Sequence, residues 1–161
     1  MAFLALERRI PDSILPYPEG LLDRAKYVLW HILSPGFLFV GQNVLRAVGL
    51  LHHEGRQNYV IGKLAPGVSL ESFLAYVHGQ GFGNHFFAWV DDDQVLSLRK
   101  LVSFEWQYHL RVFSDGEVRG HYEWTPEAHP RWHVKEIGME ERREDFLRFL
   151  GGWIVPVSAQ P

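Results

Sequence analysis

Between residues 19 and 33 the apolar side chains Leu21, Leu22, Ala25, Val28, Leu29 and Ile32 recur at steps of three and four, which predicts an amphipathic helix. Pro35-Gly36 should end it. A second helix is expected over 39–52, where Val40, Val44, Leu45, Val48 and Leu51 repeat the pattern. The short connection makes the two an N-terminal helical hairpin. Before them, Pro11, Pro16 and Pro18 predict an irregular arm or short edge strand. Residues 58–64 read as a strand. Ser69 is then a suitable N-cap for a helix reaching about residue 78 that buries Leu70, Phe73, Leu74 and Val77. Strands follow over 84–90 and 94–104, separated by Asp91-Asp92-Asp93. Past a stretch of irregular chain, Phe146, Leu147 and Leu150 mark a last helix over 139–150, whose Glu140, Glu141 and Glu144 lie toward the positive end of its dipole.

The pattern is most specific at 106-WQYHLRVF-113 and 117-EVRGHYEW-124, two alternating segments joined by Ser114-Asp115-Gly116. A three-residue loop with Gly116 in the left-handed conformation pairs Trp106 with Trp124 and Val112 with Val118. One face then carries Trp106/Trp124, Tyr108/Tyr122, Leu110/Gly120 and Val112/Val118. The opposite face carries Gln107/Glu123, His109/His121 and Arg111/Arg119. A two-residue Asp-Gly turn would scatter polar and apolar groups over both faces, which a half-buried sheet penalises. The first register is therefore expected.

These elements define an α+β fold: an N-terminal helical hairpin plus an antiparallel β-meander covered on one face by helices. The helices should pack on the aromatic face and leave the His/Arg face toward solvent or a cleft. The 161 residues suit a single domain, 1–161, and 47% hydrophobic against 22% charged residues marks an ordered chain. A net charge of -3 excludes a surface that is basic throughout, although a local basic patch remains compatible with nucleic acid. The absence of cysteine excludes disulfides, thiol nucleophiles and zinc–thiolate sites. Lys26, His31, Arg46 and His52 interrupt every apolar run short of membrane-spanning length, and the start has no basic region ahead of its short apolar stretch. A cytoplasmic protein with no membrane association is expected.

The chemistry concentrates in the hairpin. A pair of imidazoles held face to face can supply one base and one acid, and Glu123 on the same face can orient one of them. Arg111 directly opposite Arg119 is repulsive, and an anion between them would relieve that cost. His109, His121 and Glu123 are therefore candidate catalytic residues, with Arg111, Arg119 and Gln107 as candidate ligand contacts for a phosphate group. The competing reading is a solvated sheet face with ordinary polar cross-strand pairs. His121, His129 and His133, together with Glu123, offer an alternative use as ligands for a divalent metal such as zinc or manganese, with no cofactor as the primary expectation. Pro130 would allow His129 and His133 to share a helical turn only from its first position.

Other signals are better read as structure. The glycines of 79-GQGFG-83 run from helix to strand, the reverse of what phosphate capture at a helix N-terminus requires, and form a turn. Asp91–Asp93 lack the further oxygen ligands of a calcium loop. His52-His53-Glu54 suits the end of the second helix, and no serine sits in a nucleophile elbow. The aromatic hairpin face is core unless exposed, in which case it would stack bases.

From about 104 to 150 the order is strand, Asp-Gly turn, a strand ending in 121-HYE-123, the Pro/His-rich 125-TPEAHPRWH-133 and a helix. This resembles TumE-like toxins of toxin–antitoxin pairs over less than a third of the chain. That family typically carries an Asp-Asn pair where Glu123-Trp124 stand here. The resemblance implies a small cytosolic protein beside a cognate partner, with activity on RNA or nucleotides. Two functions are thus expected as alternatives. One is a phosphodiesterase- or ribonuclease-like hydrolase that binds or cleaves a phosphate-bearing ligand such as RNA. The other is a non-enzymatic interaction or regulatory module that docks a partner protein.

Overall fold

The computed structural model describes residues 18–36, 59–84, 93–134 and 138–158, with isolated positions between 40 and 49. The elements run α1 (Leu21–Gly36), β1 (Val60–Leu64), α2 (Leu70–Gly79), β2 (Gly83–Asn84), β3 (Gln94–Leu101), β4 (Trp106–Phe113), β5 (Glu117–Trp124), α3 (Pro130–Val134), α4 (Arg143–Leu150) and, after a 3-10 turn, β6 (Ile154–Pro156). The fold is α+β with an antiparallel sheet, in the order β2-β3-β4-β5-β1-β6. Most of the expected second helix, most of the 84–90 strand, Asp91-Asp92 and the N-terminal arm lie outside the described residues.

Turn chemistry and side-chain parity account for the centre of the sheet. Gly116 adopts φ 79°, the Gly116 N–H donates to the Phe113 carbonyl at 2.9 Å, and the Asp115 carboxylate accepts from the Glu117 N–H at 3.0 Å. The resulting register pairs Trp106 with Trp124, His109 with His121 and Arg111 with Arg119. On the apolar face Leu110, Val112 and Val118 join Phe73 and Val77 of α2 and Phe146 and Leu150 of α4 in one core. Gly120 makes that packing feasible. A Cβ there would stand 2.7 Å from the Phe146 ring, so the helix comes this close only over a residue without a side chain.

α2 starts where expected, with the Ser69 hydroxyl accepting from the Ser72 N–H at 3.1 Å. α4 begins four residues later than the pattern suggested. Glu140 first extends the sheet, exchanging two 2.8 Å hydrogen bonds with Tyr122, and Arg142 turns through φ 43° before the helix starts. β6 was not anticipated. Its three residues are too short for periodicity, and Pro156 is tolerated because it lies on an edge strand.

The packing departs from expectation in two places. α1 leaves Leu21, Leu22, Val28, Leu29, Ile32 and Leu33 between 54% and 87% exposed, so its apolar stripe does not face the sheet. Tyr27 and His31, on another side of the helix, are half-buried and stack at 4.2 Å. The polar face of the hairpin is also not open to solvent. Residues 125–128, all buried, fold back over it and lead into α3, whose first residue is Pro130. Thr125 fixes this return, its hydroxyl donating to the Phe104 carbonyl at 2.5 Å. Glu127 then receives Arg99 at 3.0 and 3.3 Å.

Candidate functional site

Successive side chains of a strand point to opposite faces, so the odd positions of β3, β4 and β5 converge on one surface. Ser97 and Arg99 of β3 stand across from Arg111 and His109 of β4, which stand across from Arg119 and His121 of β5. Gln107 and Glu123 form the next pair. Because the returning chain covers this surface, the side chains of His121 and Glu123 are only 3% and 5% exposed, and that of His109 is 12%.

Glu123 is the hub. Its Oε1 accepts from Gln107 Nε2 at 2.8 Å and lies 3.3 Å from His109 Nδ1. Its Oε2 lies 3.0 Å from His121 Nε2 and 3.3 Å from His133 Nδ1. The His109 and His121 rings meet edge to face with centroids 5.1 Å apart. Burial alone would raise the Glu123 pKa, but the facing imidazoles of His133, His121 and His109 outweigh it and hold the carboxyl well below its usual range. Burial lowers the His109 pKa to about 4, with Glu123 opposing the shift only in part. An ionised carboxylate thus faces a neutral imidazole at physiological pH.

Hydrogen-bond chemistry fixes most of the protons. A carboxylate only accepts, so His109 carries its hydrogen on Nδ1, and the Ser97 hydroxyl donates to Nε2 at 3.0 Å. The Trp124 carbonyl likewise requires the hydrogen of His133 on Nδ1, at 2.9 Å. His121 behaves differently. Its Nε2 approaches Glu123 without the alignment of a hydrogen bond, and neither ring nitrogen has a hydrogen-bond partner among the described residues.

The arrangement gathers some of the expected site residues and disperses others. His109, His121 and Glu123 meet, and Gln107 supports the carboxylate from a fully buried position. Arg119 is met within its own strand, its Nε donating to Glu117 at 2.6 Å. Arg111 remains at the cluster, 5% exposed. His129 and His133 do flank the start of a helix with Pro130 in first position, yet they diverge. His133 turns to Glu123, whereas His129 lies 3.7 Å from Glu105 and packs edge-on against Trp124. A metal set of His121, His129 and His133 is therefore not assembled, and among the described residues the donors that converge are His109, His121 and Glu123. Ser97, Arg99 and Glu127 were not foreseen. For the first two the signal was available in the alternation of 96-LSLRKL-101, whose odd positions share the His109 face.

On the other side of the hairpin the aromatic residues satisfy one another. Trp106 stacks on Trp124 at 3.7 Å and on Tyr122 at 4.8 Å, and the Tyr108 hydroxyl donates to Asp145. Among the described residues no helix is long and apolar enough to cross a membrane. No protein-family model, curated protein or solved structure matches the chain.

Proposed function

We propose that the Glu123 cluster is the reaction centre of a hydrolase acting on a phosphate-bearing ligand. The observation that carries this reading is one buried carboxylate contacted by His109, His121 and His133, with the Arg111 guanidinium on the same face. Imidazoles beside a carboxylate are the groups that activate water, either by taking its proton or by holding a cation that acidifies it. Arg111 supplies the positive charge for the phosphate oxygens, and Arg119, engaged with Glu117, has the lesser part. The cover over His121 and Glu123 favours a phosphate ester entering end-on past His109, the more exposed of the pair, over a nucleic-acid strand lying along the face. The test is turnover of a phosphodiester and a phosphomonoester by the wild-type chain, by the His109→Ala/His121→Ala double variant and by the single His109→Gln variant. Loss of turnover in folded variants supports the reading. Undiminished turnover in the double variant eliminates it.

A second reading, a protein-docking module, has one observation in its favour, the exposed apolar stripe of α1. The resemblance to TumE-like toxins implies a cognate protein partner, although it does not extend to α1. Replacing Leu29 and Ile32 by Glu should then abolish association with that partner and leave the fold intact. A complex that survives both substitutions refutes the docking surface.

A further inference from the structure

We propose that His109 Nδ1, His121 Nε2 and Glu123 form a binding site for a divalent cation of the zinc class. The inference deepens the hydrolase reading and rests on it for its chemistry, while its test reads metal and not turnover.

Three observations carry it. First, one donor atom from each of these three side chains lies within 4.8 Å of the others, with His109 Nδ1 3.3 Å from Glu123 Oε1 and His121 Nε2 3.0 Å from Glu123 Oε2. Ligands held about 2.0–2.1 Å from a tetrahedral ion are separated by about 3.3 Å, so small side-chain movements complete the geometry. Second, His121 is 2% exposed, and neither of its nitrogens is hydrogen-bonded among the described residues. Burying two unsatisfied ring nitrogens is costly, and a close but misaligned contact with a carboxylate is how two ligands of one ion sit relative to each other. Third, the supporting shell is in place. Ser97 Oγ stands 3.0 Å from His109 Nε2, ready to accept its hydrogen once Nδ1 ligates. Gln107 anchors the carboxylate at 2.8 Å, and Arg99, itself held by Glu127, lies behind Gln107.

Two imidazoles and one carboxylate select zinc or a neighbouring transition ion over magnesium or calcium, which prefer oxygen-only sites. Three protein ligands leave one position for water or a phosphate oxygen. His133 is not a ligand through Nδ1, whose hydrogen is committed to the Trp124 carbonyl.

The full chain, stripped of metal by chelator and dialysed, is titrated calorimetrically with zinc chloride and, separately, with magnesium chloride. The expected result is one equivalent of zinc and no magnesium. His121→Ala and Glu123→Gln should weaken zinc at least tenfold, Ser97→Ala about tenfold through the supporting shell, and His129→Ala not at all. Crystals of the wild-type chain grown with zinc should show an anomalous peak between His109, His121 and Glu123, which keeps the test independent of whether any variant folds. No zinc uptake by the wild-type chain overturns the inference, as does a peak confined to exposed histidines such as His78. Hydrolysis without zinc uptake would sink this site and leave the proposed function standing. Zinc uptake without hydrolysis would do the reverse.

Discussion

Acidification should destabilise the fold through His109 before it protonates the carboxylate beside it. The imidazole titrates near 6.5 when solvated and at about 4 in the folded chain. Below pH 6.5 the unfolded chain therefore binds a proton that the folded chain refuses, and stability falls until the folded pKa is reached. At about 1.4 kcal/mol per pH unit this drop is worth roughly 3 kcal/mol, a large part of the stability of a domain this size. The contribution is absent above pH 6.5 and complete below about 4. Glu123 acts in the same direction in a lower window. Its folded pKa is depressed, so the stability it gives is present above 4.5 and is lost as pH falls further. His31, whose pKa burial lowers in spite of the nearby Glu127, contributes in the upper window as well, which makes a variant necessary to isolate His109. His109→Gln removes the titration, and an amide can still meet both Ser97 and Glu123. Urea unfolding of both chains at intervals from pH 7.5 to 4.5 should give stabilities that converge as the pH falls, the wild type losing roughly 2–3 kcal/mol more than the variant. Parallel profiles would refute a buried neutral imidazole at this position.

Three substitutions probe the packing that builds the site. Glu127→Gln leaves the Arg99 guanidinium, fully buried, without its charged partner. It should cost roughly 3–5 kcal/mol in urea unfolding, and joint replacement of Arg99 by Met and Glu127 by Leu should recover much of the loss. Gly120→Ala places a methyl group 2.7 Å from Phe146. Thermal unfolding should show a loss of about 1–3 kcal/mol, relieved when Phe146 is shortened to Leu. Gly116→Ala sets a side chain in the left-handed region at φ 79° and should cost about 1–2 kcal/mol with the cluster's ring contacts unchanged in a crystal structure.

What the sequence disclosed, and what it withheld, divides along the range of the forces involved. The hairpin register was legible because a local cause, the glycine at the end of Ser114-Asp115-Gly116, coincides with a face-by-face sorting of polar and apolar residues. That register alone put His109 opposite His121 and Gln107 opposite Glu123. The Ser69 cap and the buried positions Phe73 and Val77 of α2 and Phe146 and Leu150 of α4 were equally local, whereas Leu70, expected in the core, is exposed. The burial of the polar face was not legible, since it depends on 125-TPEA-128, a segment without periodicity whose Glu127 finds Arg99 some 28 residues earlier in the chain. The divergence of His129 from His133 was hidden for the same reason, because ring direction follows from Glu105 and the Trp124 carbonyl. α1 misled because its strongest stripe is exposed, and a hydrophobic pattern reports amphipathicity without naming what the stripe will meet.

The protonation state of one side chain bears most directly on the whole account. An imidazole nitrogen-15 correlation spectrum of the metal-free chain at pH 6 should show His109 neutral with its hydrogen on Nδ1, and one equivalent of zinc should move that hydrogen to Nε2. A doubly protonated His109 at that pH would contradict the account, because a charged ring could serve neither as proton acceptor nor as ligand.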